Sequence, residues 1–161
     1  MQFPEHRDTR GNFFRKYCEI DFENNQLNTQ WQQTNYSSNI KSGTLRGFHY
    51  QTEPFQEIKL VTCTSGSIYD VILDLRPESK TFMQTFSVNL TSESNTSIYI
   101  AKGVAHAYLS LEDNTSVIYQ VSKKYSLANT RGVNYLDPKL KINWPLEPKF
   151  ISEKDINWDF L

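Results

Sequence analysis

Ser67-Ile68-Tyr69-Asp70-Val71-Ile72-Leu73-Asp74 is the most informative octet of the chain. In an extended backbone successive side chains point to opposite faces, so Ile68, Asp70, Ile72 and Asp74 share one face and Tyr69, Val71 and Leu73 the other. The second face is wholly apolar, while the first sets carboxylates among apolar residues. That arrangement suits a barrel or sandwich with a polar-lined interior better than a plain sandwich core. The flanking sequence has the same character. Across 12–121, short segments rich in Thr, Tyr, Phe, Ile and Val alternate with Gly, Asn, Ser, Pro and Asp, with almost no helical periodicity. An all-β fold follows, with strands predicted at 13–18, 29–36, 44–51, 56–63, 67–75, 82–90, 97–101, 107–111 and 115–121. The remaining stretch, 138–161, is irregular and is predicted to pack as loop and short helix over one end of the β body. With no repeat, low-complexity tract or linker, residues 1–161 are expected to form one domain.

Composition removes several classes of function. The chain has 161 residues, a size that buries a core without disulfide or metal support. Its 17 Lys+Arg against 18 Asp+Glu leave a net charge of -1, so no basic field exists to gather a nucleic-acid backbone. The longest apolar runs, such as 71–73 and 117–119, are far shorter than a membrane span, and Met1-Gln2-Phe3-Pro4-Glu5 does not read as a secretory signal. A soluble, cytoplasmic protein is the expectation. Cys18 and Cys63 are too few and too isolated for a disulfide framework or a CxxC metal site, and read as small core residues.

Three histidines, His6, His49 and His106, are available for chemistry. His6 lies near the terminus and reads as a solvated side chain. In the predicted strand 44–51, Leu45, Gly47, His49 and Gln51 face one way and Arg46, Phe48 and Tyr50 the other. Gly47 removes a side chain beside His49, which on the same face leaves room for a ligand. Lys59 shares a face with Glu57 and Val61, His106 follows a glycine turn at Gly103, and Tyr119 shares a face with Val117 and Val121. Taken singly, each has an ordinary reading: a core histidine, a solvated lysine, a turn cap, a packed tyrosine. Metal binding is the obvious rival, since barrels of this kind often hold metals with clustered histidines. The chain lacks a His-x-His pair, and no carboxylate stands at ligand spacing from His49 or His106. A Gly-x-Ser-x-Gly elbow and a glycine-rich phosphate loop are both missing.

Read in order, Asp8-Thr9-Arg10-Gly11, Gln33-Thr34-Asn35-Tyr36-Ser37, Leu45-Arg46-Gly47-Phe48-His49-Tyr50-Gln51, Lys59-Leu60-Val61, the segments 70–76 and 103–108, and Ile142-Asn143-Trp144-Pro145 resemble the dTDP-4-dehydrorhamnose 3,5-epimerase family. The likeness runs over about residues 3–155. It implies a cupin jelly-roll that works as a homodimer without metal or cofactor, its first strands reaching across to the partner, and a nucleotide-diphosphate sugar as substrate. It also implies roles. His49 matches the catalytic base, Asp155 the aspartate that orients it, Lys59 the lysine near the C4 oxygen, and Tyr119 the acid on the opposite sugar face. Arg10, Gln33, Asn35, Arg46 and His106 match positions lining the substrate and diphosphate.

The chemistry is coherent without the name. A hydrogen beside a ketone is acidic because the anion spreads onto the carbonyl oxygen, so a base and a positive group near that oxygen are both required. Departures from the family pattern fall elsewhere: Asn12 replaces an aromatic, Arg15 a carboxylate, and Lys124-Tyr125 a tyrosine pair, while Tyr135-Leu136-Asp137 stands for Trp-Asn-Asp. The expected activity is inversion of C3, C5 or both of a nucleotide-linked 4-keto-6-deoxy sugar. A nucleotide-sugar 3,4-ketoisomerase and a non-catalytic sugar-binding cupin are the alternatives.

Overall fold

The computed structural model describes residues 4–161. Met1, Gln2 and Phe3, the first part of the segment that does not read as a secretory signal and the start of the family likeness, lie outside the described residues. Eleven strands and two short helices follow one another in the described residues. β1 (Glu5–Asp8) and β2 (Gly11–Phe14) form a hairpin, followed by α1 (Glu19–Asn24). Next come β3 (Gln33–Asn39), β4 (Leu45–Gln51), β5 (Lys59–Ser65), β6 (Ser67–Asp74) and β7 (Thr85–Thr91). The chain continues through β8 (Ile98–Ile100), β9 (Val104–Ser110), β10 (Thr115–Val121), β11 (Thr130–Gly132) and α2 (Glu153–Ile156). Beyond the hairpin, the strands form a four-stranded sheet in the order β3-β10-β5-β8 and a five-stranded sheet in the order β11-β4-β9-β6-β7. Every named pairing is antiparallel. This is the cupin jelly-roll.

The two sheets close on each other through Val61, Cys63, Ile68, Leu90, Ile100 and Val117, all essentially without exposure. The alternation read from β6 holds: Ile68 and Ile72 enter this inner core, while Tyr69, Val71 and Leu73 face the other way. That outer face is covered too. Phe48, Val71, Leu73 and Ala107 pack beneath Val133, Leu140, Ile142 and Trp144 of the C-terminal segment. Asp70 stands on the inner face, fully buried, where its Oδ2 lies 2.8 Å from His106 Nε2. Buried polar groups are tolerated where they find a partner, so this pair explains the carboxylate seen in the sequence pattern.

Strand ends depart from expectation where a partner strand sets them. β5 begins at Lys59, opposite Val121, the last residue of β10. β9 begins at Val104, opposite Asp74, which puts His106 within a strand and not in the expected turn. The predicted strand 13–18 is wrong beyond Phe14. There the chain turns into α1, whose buried Phe22 joins Tyr17, Leu27 and Trp31 over Leu60 and Tyr99 on the outer face of the four-stranded sheet. Six residues give too few turns for periodicity to register, so tertiary burial makes this helix. β1 and β11 were not expected. β11 adds three residues to the edge of β4, with Gly132 opposite His49.

Candidate active site

The mouth of the jelly-roll opens into a cavity of about 720 Å³ lined by Arg46, His49, Lys59, His106, Tyr119 and Asp155 among others. A second lobe of about 260 Å³ shares His49, Lys59 and Tyr119 and adds Gln33, Asn35 and Tyr125. A cavity of that size holds a drug-sized ligand. Eight of the nine sequence-predicted site residues therefore border these two adjoining cavities. Arg10 does not. It sits exposed beside the β1–β2 hairpin, paired with Asp8 at 2.6 Å, over a separate hollow.

His49 reaches the cavity from β4, though not for the expected reason. Strict alternation puts Arg46 and His49 on opposite faces, yet both line the cavity. The β4–β9 register shifts between these two residues, and a register irregularity re-aims side chains. Gly47 lies inside the shift at φ +123, and a Cβ there would stand 2.5 Å from the His106 carbonyl oxygen and 2.6 Å from Ala107. The room expected beside Gly47 is thus filled by β9 backbone; the glycine permits strand approach, not ligand access.

Asp155 comes from the far end of the chain. Ser152 caps the single turn α2, its Oγ accepting from Asp155 N at 3.1 Å, and this fixes the buried carboxylate behind His49. Asp155 Oδ1 lies 2.5 Å from His49 Nε2. An ionised carboxylate only accepts, so Nε2 carries the proton and Nδ1 is left as the basic nitrogen. Burial raises the Asp155 pKa, but the His49 hydrogen bond and charge, with Gly47 N and Ser152, outweigh it and hold the carboxyl below its ordinary value.

Lys59 is buried, its side chain 10% exposed, with Nζ 3.2 Å from Glu57 Oε1 and 3.5 Å from the His49 carbonyl oxygen. The pair keeps an ammonium in a dry place at the base of the cavity. Tyr119 projects from β10. Burial above all, with help from Tyr108 and Glu57 and against Arg46, pushes its phenol above the ordinary tyrosine value, so the hydroxyl keeps its proton at neutral pH. Arg46 donates through Nε to Asn39 Oδ1 at 2.9 Å, and Gln33 Oε1 accepts from Tyr125 N at 2.6 Å.

Sequence reasoning passed over Tyr108, Lys149, Phe150 and Lys154, which also line the cavity. Lys154 adjoins Asp155, and that adjacency was the available signal; Lys149 and Phe150 lie in the irregular C-terminal stretch, which carries no periodicity to read. Among the described residues no three His, Cys, Asp or Glu side chains converge as a metal site.

A jelly-roll whose cavity gathers a carboxylate-backed imidazole, an ammonium and a protonated phenol belongs to the acid–base isomerases. Comparison makes this particular: the model of the dTDP-4-dehydrorhamnose 3,5-epimerase family matches residues 1–161, and the chain belongs to that family. It is 36% identical over 151 residues to the dTDP-4-dehydrorhamnose 3,5-epimerase of Shigella flexneri, covering 93% of this chain and 83% of that protein. The crystal structure of the enzyme of that name from Bacillus anthracis, with TDP and PPi bound, superposes with a TM-score of 0.96 at 34% identity over 99% of this chain and 91% of that one. A 3'-monoepimerase from Streptomyces bikiniensis, in complex with dTDP-quinovose, gives 0.92 at 32% identity over 99% of this chain and 80% of that one. This chain is accordingly a deoxysugar epimerase.

Proposed function

We infer that the substrate is a dTDP-linked 4-keto-6-deoxy sugar and that the chain inverts C3 and C5, with His49 as base. The observation that carries this is the 2.5 Å contact of Asp155 Oδ1 with His49 Nε2 in a cavity shared with Lys59 and Tyr119. His49 Nδ1 removes the proton beside the ketone. Asp155 holds the ring and stabilises the imidazolium that forms. The Lys59 ammonium stabilises the enolate oxygen as negative charge moves onto it. Tyr119 returns a proton from the opposite face, which is what inversion requires. Arg46, His106, Gln33 and Asn35 bind the sugar and diphosphate, Arg46 through a planar fork suited to phosphate oxygens.

The β1–β2 hairpin supports a homodimer. Its two four-residue strands are exposed along almost their whole length, and such a hairpin is marginal in water by itself. Docked on a second copy of the jelly-roll domain it gains a sheet to lie on and brings Arg10 toward the partner's cavity. The chain works in the cytoplasm, where Cys18 and Cys63 stay as the free thiols they are. Among the described residues no helix is long and apolar enough to cross a membrane.

The test is proton NMR of dTDP-4-keto-6-deoxyglucose in heavy water. Deuterium enters C3 and C5 without carbonyl migration, and His49→Asn abolishes that exchange while dTDP still binds. Entry at C3 alone makes the enzyme a monoepimerase, and migration of the carbonyl makes it a ketoisomerase.

A further inference from the structure

Asp155 has a partner besides His49, and it comes from the last turn of the chain. The Trp158 indole Nε1 donates to Asp155 Oδ1 at 3.3 Å, the same oxygen that receives His49 Nε2. Further contacts hold this residue and its ring. Asn134 Nδ2 donates to the Trp158 carbonyl at 3.0 Å and to that of Ile156 at 2.9 Å, pinning the backbone. One face of the ring lies so close on Gly132 that a Cβ there would run into Cε2 and Nε1. Over the ring stands Lys154 Nζ, 5.3 Å from the centroid. Trp158 is half-buried and does not line the cavity.

We propose that Trp158 is a positioning residue that sets the basicity of the His49–Asp155 pair. This rests on the reading of His49 as the base. Two donors share one carboxylate oxygen, so density given to the indole N–H is withheld from the imidazolium. Removing the indole donor concentrates the Asp155 charge on His49, stabilises its protonated form and makes it titrate at higher pH. The other charged or titratable groups lining the space around His49 are Arg46 and Tyr50 on its own strand, Glu57 and Lys59 before and at the start of β5, Tyr36 on β3, His106 and Tyr108 on β9, Tyr119 on β10, and Tyr125, Lys149 and Lys154 beyond it. Trp158→Phe alters none of them, because a phenyl ring keeps both the Gly132 contact and a face for Lys154.

Gly132 gives an independent handle. It sits in a strand with φ outside the left-handed region, so alanine is conformationally acceptable there; its Cβ meets the indole first, and because Gly132 also pairs with His49 across the sheet its effect is read beside that of Trp158→Phe.

The experiment is the pH profile of kcat/KM for solvent exchange, whose acid limb reports the free enzyme's base. Trp158→Phe moves that limb up by about half a pH unit, a ~3-fold rise in proton affinity, and Gly132→Ala moves it the same way. A limb that stays in place or moves down, with or without a lower Tm, overturns the proposal. A second measurement needs no folded variant at position 158. In protein carrying 5-fluorotryptophan at its three tryptophans, the Trp158 resonance, assigned by elimination through Trp31→Phe and Trp144→Phe, shifts with the midpoint of the acid limb and loses that titration in His49→Asn. A Trp158 resonance indifferent to pH across the limb also overturns it. If His49→Asn retains solvent exchange, the base assignment itself fails; if it loses exchange while Trp158→Phe leaves the limb unmoved, only the role of Trp158 fails.

Discussion

Asp155→Asn removes the charge behind His49, the proposed base, while keeping the size of the side chain. In the folded protein that carboxylate is 5% exposed and contacts His49 at 2.5 Å, so water does little to replace it. A hydrogen bond to a charged group contributes about 1.5–3 kcal/mol. The bond tightens as His49 takes up the proton, so its loss disfavours the imidazolium formed in the reaction. The acid limb of kcat/KM therefore moves down, and the weaker, less well oriented base slows deuterium entry by on the order of 10²-fold or more. The direction is opposite to that of Trp158→Phe, which leaves the carboxylate and removes its competing donor. Stability carries a second signature. The Asp155 carboxyl is held below its ordinary value, so its ionised form stabilises the fold above the usual carboxylate range, and that stabilisation is lost as pH falls through the lowered folded value. The Tm gap between the native protein and Asp155→Asn is thus full at neutral pH and closes only in acid. Solvent-exchange NMR across pH, with thermal melts beside it, checks both. An exchange rate and acid limb equal to those of the unaltered protein would refute the assignment of Asp155.

With the phenol as the proposed donor in the second step, Tyr119→Phe slows product formation more than proton abstraction; equal slowing, measured by comparing deuterium wash-in with epimer formation, removes that role. Lys59→Met lowers exchange by ~10²- to 10³-fold and lowers Tm as well, since the half-buried Glu57 loses its 3.2 Å partner; adding Glu57→Gln recovers Tm but not exchange. Gly47→Ala pits a Cβ at 2.5 Å against the His106 carbonyl on a backbone at φ +123, so it destabilises by about 1–3 kcal/mol from overpacking, with further strain from the left-handed φ, read as a lower denaturation midpoint. With the proposed homodimer held by the hairpin, deleting residues 1–14 leaves a monomer in sedimentation equilibrium where the full chain is a dimer, and a dimer that survives the deletion removes the hairpin from the interface.

The sequence by itself determined the β character of the chain and eight residues of the cavity wall. Strand alternation is a local property, so Ile68, Asp70 and Ile72 could be assigned to one face of β6 before any partner strand was known, and the structure keeps them there. The ordered residues around His49 and Lys59 also carried the family likeness. Tertiary structure alone decided what depends on a second segment. The register shift that turns Arg46 and His49 into one cavity is a property of β4 against β9, invisible in either strand. The six-residue helix α1 exists because Phe22 has a sheet face to cover. Trp158 meets Asp155 and Gly132 only because the last turn folds back over β11, and Arg10 stands apart from the cavity because its hairpin leaves the body of the chain. Periodicity records which way a side chain points along its own strand; which distant group it meets is set by packing between segments, and that is where the chemistry of His49 and Asp155, 106 residues apart, is made.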